Sequence, residues 1–230
     1  MNIDIAIRLT EIMVGFAFIQ QSIEHLRIYH NEKIIFLPRA VFAGLLIVGF
    51  QTNWVVFILL GVGLLILNRF QGPYNGGADR MSLLILICLC GIHIAPTKEW
   101  QEVALGYLAV QLMLSYFISG WVKVINPEWR NGQALVDVFR FSAYPVSESL
   151  RGWSNHPQLL LMMSWLIIVF ELVFPLSIVF GDILIIALVI AAIFHFMNAC
   201  LFGLNRFFWI WLAAYPSILW FQQRLFVTIS

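Results

Sequence analysis

Residues 159–180 contain a single ionisable side chain, Glu171, and residues 183–202 carry only His195 and Asn198 as strongly polar groups. A helix rises about 1.5 Å per residue, so runs of about 20 apolar residues match the thickness of a bilayer's hydrocarbon core. The runs are unbroken rather than alternating, which argues against a membrane β-barrel. Charged residues make up 11% of the chain, against about 25% in soluble domains. A water-soluble globule of this size would need more solvated surface than that. The 61% hydrophobic content equally excludes disorder. The chain therefore reads as an all-α, polytopic transmembrane helical bundle.

Eight spans are expected, at residues 3–24, 34–50, 54–70, 81–95, 100–122, 158–180, 182–202 and 205–226. The third and fourth are short. Asp4, Arg8 and Glu11 interrupt the first where a signal peptide needs an apolar stretch, so it is expected to be a retained helix. Two links are long. Residues 68–80 include the turn-rich segment 71–77. In the second, residues 128–141 set Trp129, Leu135, Val136 and Phe139 among Arg130, Gln133, Asp137 and Arg140, the pattern of an amphipathic helix lying in the membrane interface. No repeat or low-complexity tract divides the chain, so one domain over 1–230 suffices. Cys88, Cys90 and Cys200 sit in apolar runs and read as small core residues. The net charge of +1 points to no nucleic-acid partner. With eight spans, one side gathers ten of the thirteen Lys and Arg residues, Arg39 and Arg206 among them. That places both termini outside and the long loop in the cytoplasm.

Ionisable residues within spans are costly and must face protein or water. In the first span, Asp4, Arg8, Glu11, Gly15, Ser22 and His25 share one stripe. It is either internal glue through an Arg8–Glu11 pair or the wall of a polar cavity. Gln111, Ser115, Ser119 and Lys123 recur in steps of four, with Gly120 beside them. Close packing at small residues and a lysine snorkelling to the headgroups is the plain reading; a polar ridge is the other. Glu171 is protonated, hydrogen-bonded across helices or paired with a distant cation, Arg8 first and Lys123 next. Pro175 frees the Glu171 carbonyl and kinks the helix. His195 and Asn198 share a face, as a helix linker or as part of a site. The five histidines show no paired metal-ligand spacing.

The segment Tyr116-Phe117-Ile118-Ser119-Gly120-Trp121-Val122-Lys123, followed by Trp129 and Gly132, resembles the membrane domain of vitamin K-dependent gamma-carboxylase, which defines the HTTM family. That domain has a Tyr-Phe-Ile-Ala-Gly segment ending in two lysines, and Lys123 falls on the second. Phe194-His195-Phe196-Met197-Asn198 is similar to its Phe-His-Cys-Met-Asn. Glu171 lies 24 positions before His195, where the carboxylase also has an acid. The family's Asn-His pair is only half kept: Asn75 matches the asparagine, and no histidine follows. The chain ends at Ser230 without room for the carboxylase's soluble C-terminal region, so carboxylation of protein glutamates is not expected.

The resemblance implies Lys123, His195 and Glu171 as catalytic residues, and Trp129, Asn198, Asn75 and Tyr116 as cofactor contacts. A lysine withdrawn from water can serve as general base on a phenol or hydroquinone. A quinone-type cofactor in an intramembrane pocket is therefore expected, with the 75–80 loop near its mouth and aromatic side chains against its ring. If so, the ends of Lys123, Glu171 and His195 should lie within about 10 Å of one another, a span that bridged hydrogen bonds can cover. The alternative is a non-catalytic membrane subunit that binds partner chains or lipids. A carrier is disfavoured because no inverted repeat or pair of broken helices is visible.

Overall fold

The computed structural model describes residues 1–28, 33–69 and 76–226, and these are helical almost throughout. The apolar runs form α1 (Ile3–Ile28), α2 (Lys33–Val48), α3 (Thr52–Arg69), α4 (Gly76–Ile94) and α5 (Lys98–Ile125). The long link supplies α6 (Pro127–Arg130), α7 (Gln133–Phe141), α8 (Pro145–Leu150) and a 3₁₀ turn, Arg151–Asn155. Then come α9 (Pro157–Val173), a 3₁₀ segment (Phe174–Val179), α10 (Gly181–Phe202) and α11 (Asn205–Phe226). All eight expected spans are thus helical. Among the described residues, α3, α4, α5, α9 with its 3₁₀ extension, and α10 are long and apolar enough to cross a membrane. α2 has 16 residues, and α1 carries several charged residues. Leu166, Ile186 and Ile193 are 62%, 59% and 58% exposed. Such an outward apolar surface suits lipid, not water. The protein is a multi-pass integral membrane protein, and lipid is its immediate surrounding.

Three local differences from expectation have physical reasons. α4 starts at Gly76, five residues before the expected span, with Asp79 in its first turn, where a carboxylate complements the helix dipole. The helix expected at 128–141 is broken at Asn131-Gly132. Gly132 has φ +81°, and a Cβ there would lie 2.9 Å from Leu161 Cα, so the break needs glycine both for its left-handed backbone and for the close approach. Further, the apolar face of α7 packs on protein. Leu135, Val136 and Phe139 are buried with Leu160 of α9, and Trp129, Met163 and Phe202 pack against them. Protein covers that face, while Gln133 and Arg140 remain exposed, so the helix is amphipathic as expected. Cys88 and Cys90 are buried, but Cys200 is exposed on α10 rather than in a core.

The chain forms two compact units, Met1–Val110 with Arg206–Ser230, and Gln111–Asn205. α5 runs through the boundary. In the first unit α1 packs on α2, α2 on α3 and α3 on α4. The α11 residues Phe207 and Phe221 fit against Gly77 and Gly106. The α1 stripe faces protein here. Arg8 Nη1 lies 2.9 Å from Glu11 Oε2 and donates to the Leu46 carbonyl at 2.8 Å, and Nη2 donates to the Ile47 carbonyl. One guanidinium thereby caps the end of α2. Glu11 Oε1 is 2.8 Å from His93 Nε2 on α4. The glue reading describes this part of the stripe. In the second unit, α7 packs on α9 and on the 3₁₀ turn, and α10 packs on α8 and the second 3₁₀ segment.

Candidate functional site

The site lies in the second unit and is built on the C-terminal half of α5. Positions 116, 119, 120 and 123 fall on one face of a 3.6-residue helix. Tyr116 and Gly120 are buried there, and Ser119 and Lys123 are half-buried. Gly120 sets the spacing to α9: a Cβ at this position would lie 2.9 Å from the Leu172 amide nitrogen and 3.0 Å from Glu171 Cβ. Only glycine permits that approach, and the approach brings Glu171 within reach of α5.

Lys123 Nζ donates to Glu171 Oε2 at 2.6 Å and to Ser119 Oγ at 2.5 Å. The two charged side chains are 15% and 5% exposed. Such a pair is retained away from water only with close geometry and further hydrogen bonds, and both are present. Lys123 therefore turns inward and does not snorkel. The expected order of partners is reversed. Glu171 pairs with Lys123, while Arg8 is committed to Glu11 and the end of α2.

The turn after α5 brings Trp129 back to the lysine. Asn126 Oδ1 accepts from the Glu128 amide at 2.9 Å, and Pro127 opens α6, a favoured start for a helix. Lys123 Nζ then lies 5.1 Å from the centre of the Trp129 ring, within cation–π range. Ser164 Oγ donates to the Trp129 carbonyl at 2.5 Å and holds α6 on α9.

Two turns earlier on α5, the Tyr116 hydroxyl is 2.9 Å from His195 Nε2 on α10. Both side chains are buried. Phe174 lies 4.1 Å from Tyr116, centre to centre, and Phe170 meets the same ring edge-on at 6.3 Å. The α-helix of α9 gives way at Phe174-Pro175 to 3₁₀ turns, because Pro175 cannot donate to the Glu171 carbonyl. Glu171 and the Phe170–Phe174 wall flank that break. Both pairs are built on the same face of α5.

Of the expected site residues, the structure gathers Lys123, Glu171 and Trp129 into one group and Tyr116 and His195 into an adjoining one. Asn198 is half-buried one turn along α10; its main-chain carbonyl helps to cap the helix, accepting from Leu204. No hydrogen bond joins its side chain to either group among the described residues. Asn75 lies outside the described residues. The expected ridge on α5 is not continuous, since Ser115 Oγ turns back to the Leu112 carbonyl at 2.7 Å. Ser164, Phe170 and Phe174 were not expected. Ser164 stands seven residues before Glu171, on the same helix face, and that spacing is its visible signal.

The HTTM domain family model matches residues 94–223, which include every site residue described above. No curated protein and no solved structure matches the chain.

Proposed function

The chain belongs to the HTTM domain family, and on that premise we propose that it is a membrane enzyme in which Lys123 handles a proton of a lipophilic, quinone-type cofactor. The observation that carries this reading is the buried Lys123–Glu171 pair, 2.6 Å apart, beneath the Trp129 ring. Lysine is the one strong nitrogen base that can lose its proton in a protein, and Glu171 is placed to take that proton through a short hydrogen bond. With the proton on Glu171 Oε2, Lys123 Nζ has a lone pair to accept another.

The residues present fit a planar aromatic ligand. Trp129 offers a ring face beside the amine, and Phe170 and Phe174 line the neighbouring Tyr116. Trp129, Tyr116 and His195 would hold the cofactor, Tyr116 and His195 through its oxygens. A bound hydroquinone supplies an acidic hydroxyl. Lys123 Nζ would accept its proton, Glu171 would keep the resulting ammonium in place, and the aromatic wall would exclude water.

One observation favours a second reading. Lys123 already has three partners, Glu171, Ser119 and Trp129, as a structural staple would. In that case the protein is a non-catalytic subunit that binds lipids or partner chains. The test is consumption of a soluble hydroquinone by the purified protein, compared with Lys123→Ala. Turnover above the uncatalysed rate that disappears in the variant supports the enzyme. Equal rates favour the subunit.

A further inference from the structure

The Trp129 ring reaches Lys123 from α6, a helix of four residues. One helical turn fixes three residues for a single hydrogen bond and is unstable by itself. Contacts from outside α6 must therefore hold the ring in place. Asn126 Oδ1 anchors only the start of the turn, through the Glu128 amide. The end is held by α9. Ser164 Oγ donates to the Trp129 carbonyl at 2.5 Å, and Trp165 Nε1 donates to the Arg130 carbonyl at 3.1 Å. A Cβ at Gly132 would lie 2.9 Å from Leu161 Cα, so the chain leaving α6 runs directly against α9. Positions 161, 164 and 165 are three and four apart and share one face of that helix.

The two donors are not equivalent. Trp165 is 41% exposed, at a surface where solvent or headgroups can serve the Arg130 carbonyl instead. Ser164 is fully buried. A serine inside a helix commonly returns its hydroxyl to a carbonyl of its own preceding turn. Ser177 and Ser217 do so here, donating to the Phe174 and Ala214 carbonyls. Ser164 instead reaches out of its helix to a residue 35 positions earlier. Its acceptor also takes the Gly132 amide at 3.2 Å, so the Trp129 carbonyl is held from two directions. Glu171 lies seven residues further along the same face, about 10 Å along the axis. One helix thereby carries both the carboxylate that meets Lys123 and the hydroxyl that places a ring beside it.

We infer that Ser164 is a positioning residue that fixes the Trp129 ring at the Lys123 ammonium. It acts through Trp129 and touches no reacting atom. By holding that ring it also sets the aromatic face offered to a planar ligand, a step that rests on reading this site as one for a quinone-type cofactor.

The test is fluorine NMR of the full chain in detergent, with 5-fluorotryptophan at its nine tryptophan positions. The Trp129 resonance is the one lost in Trp129→Phe. Lys123→Met with Glu171→Gln removes the charge pair and should shift that resonance, because the ammonium is 5.1 Å from the ring centre, where its charge acts on the π system. In a Ser164→Ala background the same removal should leave the resonance nearly unmoved. Ser164→Thr keeps the hydroxyl and should restore the shift. Ser217→Ala, which deletes a buried serine hydroxyl on α11, should leave it intact. Ser164→Ala alone should also move and narrow the Trp129 resonance, since a released ring is more mobile; this measurement decides if the charge-free variant does not fold. None of these readouts needs turnover, so their failure is distinct from failure of the enzyme reading. Where hydroquinone is consumed, Ser164→Ala should raise KM about three- to tenfold with little change in kcat, the loss of one aromatic contact made equally before and during reaction. A Trp129 resonance that responds to charge removal equally in the natural and Ser164→Ala backgrounds overturns the assignment, and so does one that responds in neither.

Discussion

Lys123 and Glu171 come from helices 48 residues apart and meet at 2.6 Å because Gly120, one turn before the lysine, leaves no side chain between α5 and α9. The pair is therefore a property of the helix contact as much as of the two charges. Close approach removes water, removal of water makes the charges depend on each other, and Ser119 completes the hydrogen bonding.

That dependence can be measured. Glu171→Gln leaves an ammonium buried without its counter-charge, and Lys123→Met leaves a carboxylate in the same position. Each should lower stability by about 3–5 kcal/mol, the usual cost of breaking a buried pair. The double variant Lys123→Met with Glu171→Gln removes both charges and should recover most of that loss. Thermal unfolding of the four proteins in one detergent gives the coupling energy. Additive effects would mean that the two groups act independently.

The helix contact can be tested without touching a charge. Alanine is a better helix former than glycine by about 1 kcal/mol, so Gly120→Ala would stabilise an open helix. Here its methyl group would sit 2.9 Å from the Leu172 nitrogen and 3.0 Å from Glu171 Cβ. Both neighbours are held by α9 and cannot swing aside. The net effect should be a loss of about 1–3 kcal/mol, as for overpacking. A stability equal to or above that of the natural protein would show that α5 and α9 separate freely.

Much of this was legible in the sequence, for a reason particular to membranes. Lipid demands continuous apolar runs, and those runs outline helices well; all eight expected spans are helical. The site was legible too, because Lys123, Glu171 and His195 stand out against apolar surroundings. Contact partners were harder to read. Arg8 and Lys123 were both available to Glu171 by composition, and only the glycine-mediated approach of α5 and α9 selects Lys123. Arg39 was concealed in the opposite way. Beside Pro38 near a helix start, it counts as a charge on the membrane's positive side, yet it is fully buried. The apolar face of α7 was legible from its periodicity, while its protein partner Leu160 was not, since the same pattern serves lipid or protein.

The second polar pair predicts a smaller effect. Tyr116→Phe keeps the ring against Phe174 and removes only the hydroxyl that is 2.9 Å from His195 Nε2. A buried imidazole nitrogen then loses this hydrogen bond, at a cost of about 1–3 kcal/mol. His195→Phe combined with Tyr116→Phe should cost less than the sum of the single variants, because the shared hydrogen bond is lost only once. Unfolding midpoints of the three variants check this. If Tyr116→Phe is neutral, the hydrogen bond contributes nothing to the packing of α5 on α10.

The final prediction separates proton transfer from scaffolding at Lys123. Lys123→Arg retains the positive charge, so a carboxylate at Glu171 still has a cation beside it, and the protein should assemble in the membrane in near-normal amounts. Arginine stays protonated in proteins and cannot accept a proton. If Lys123 is a base, the variant should lose roughly 10²–10⁴ in rate, the contribution of one positioned proton acceptor. Lys123→Ala should be equally inactive, though less stable. If the residue is a staple, Lys123→Arg should support the protein's biological effect almost fully, and Gly120→Leu should abolish it instead. The comparison is a complementation assay in cells lacking the chromosomal copy, with membrane abundance measured alongside. Normal abundance with lost function is the expected outcome. Normal abundance with full function would assign Lys123 to the structure of α5 and α9 rather than to chemistry.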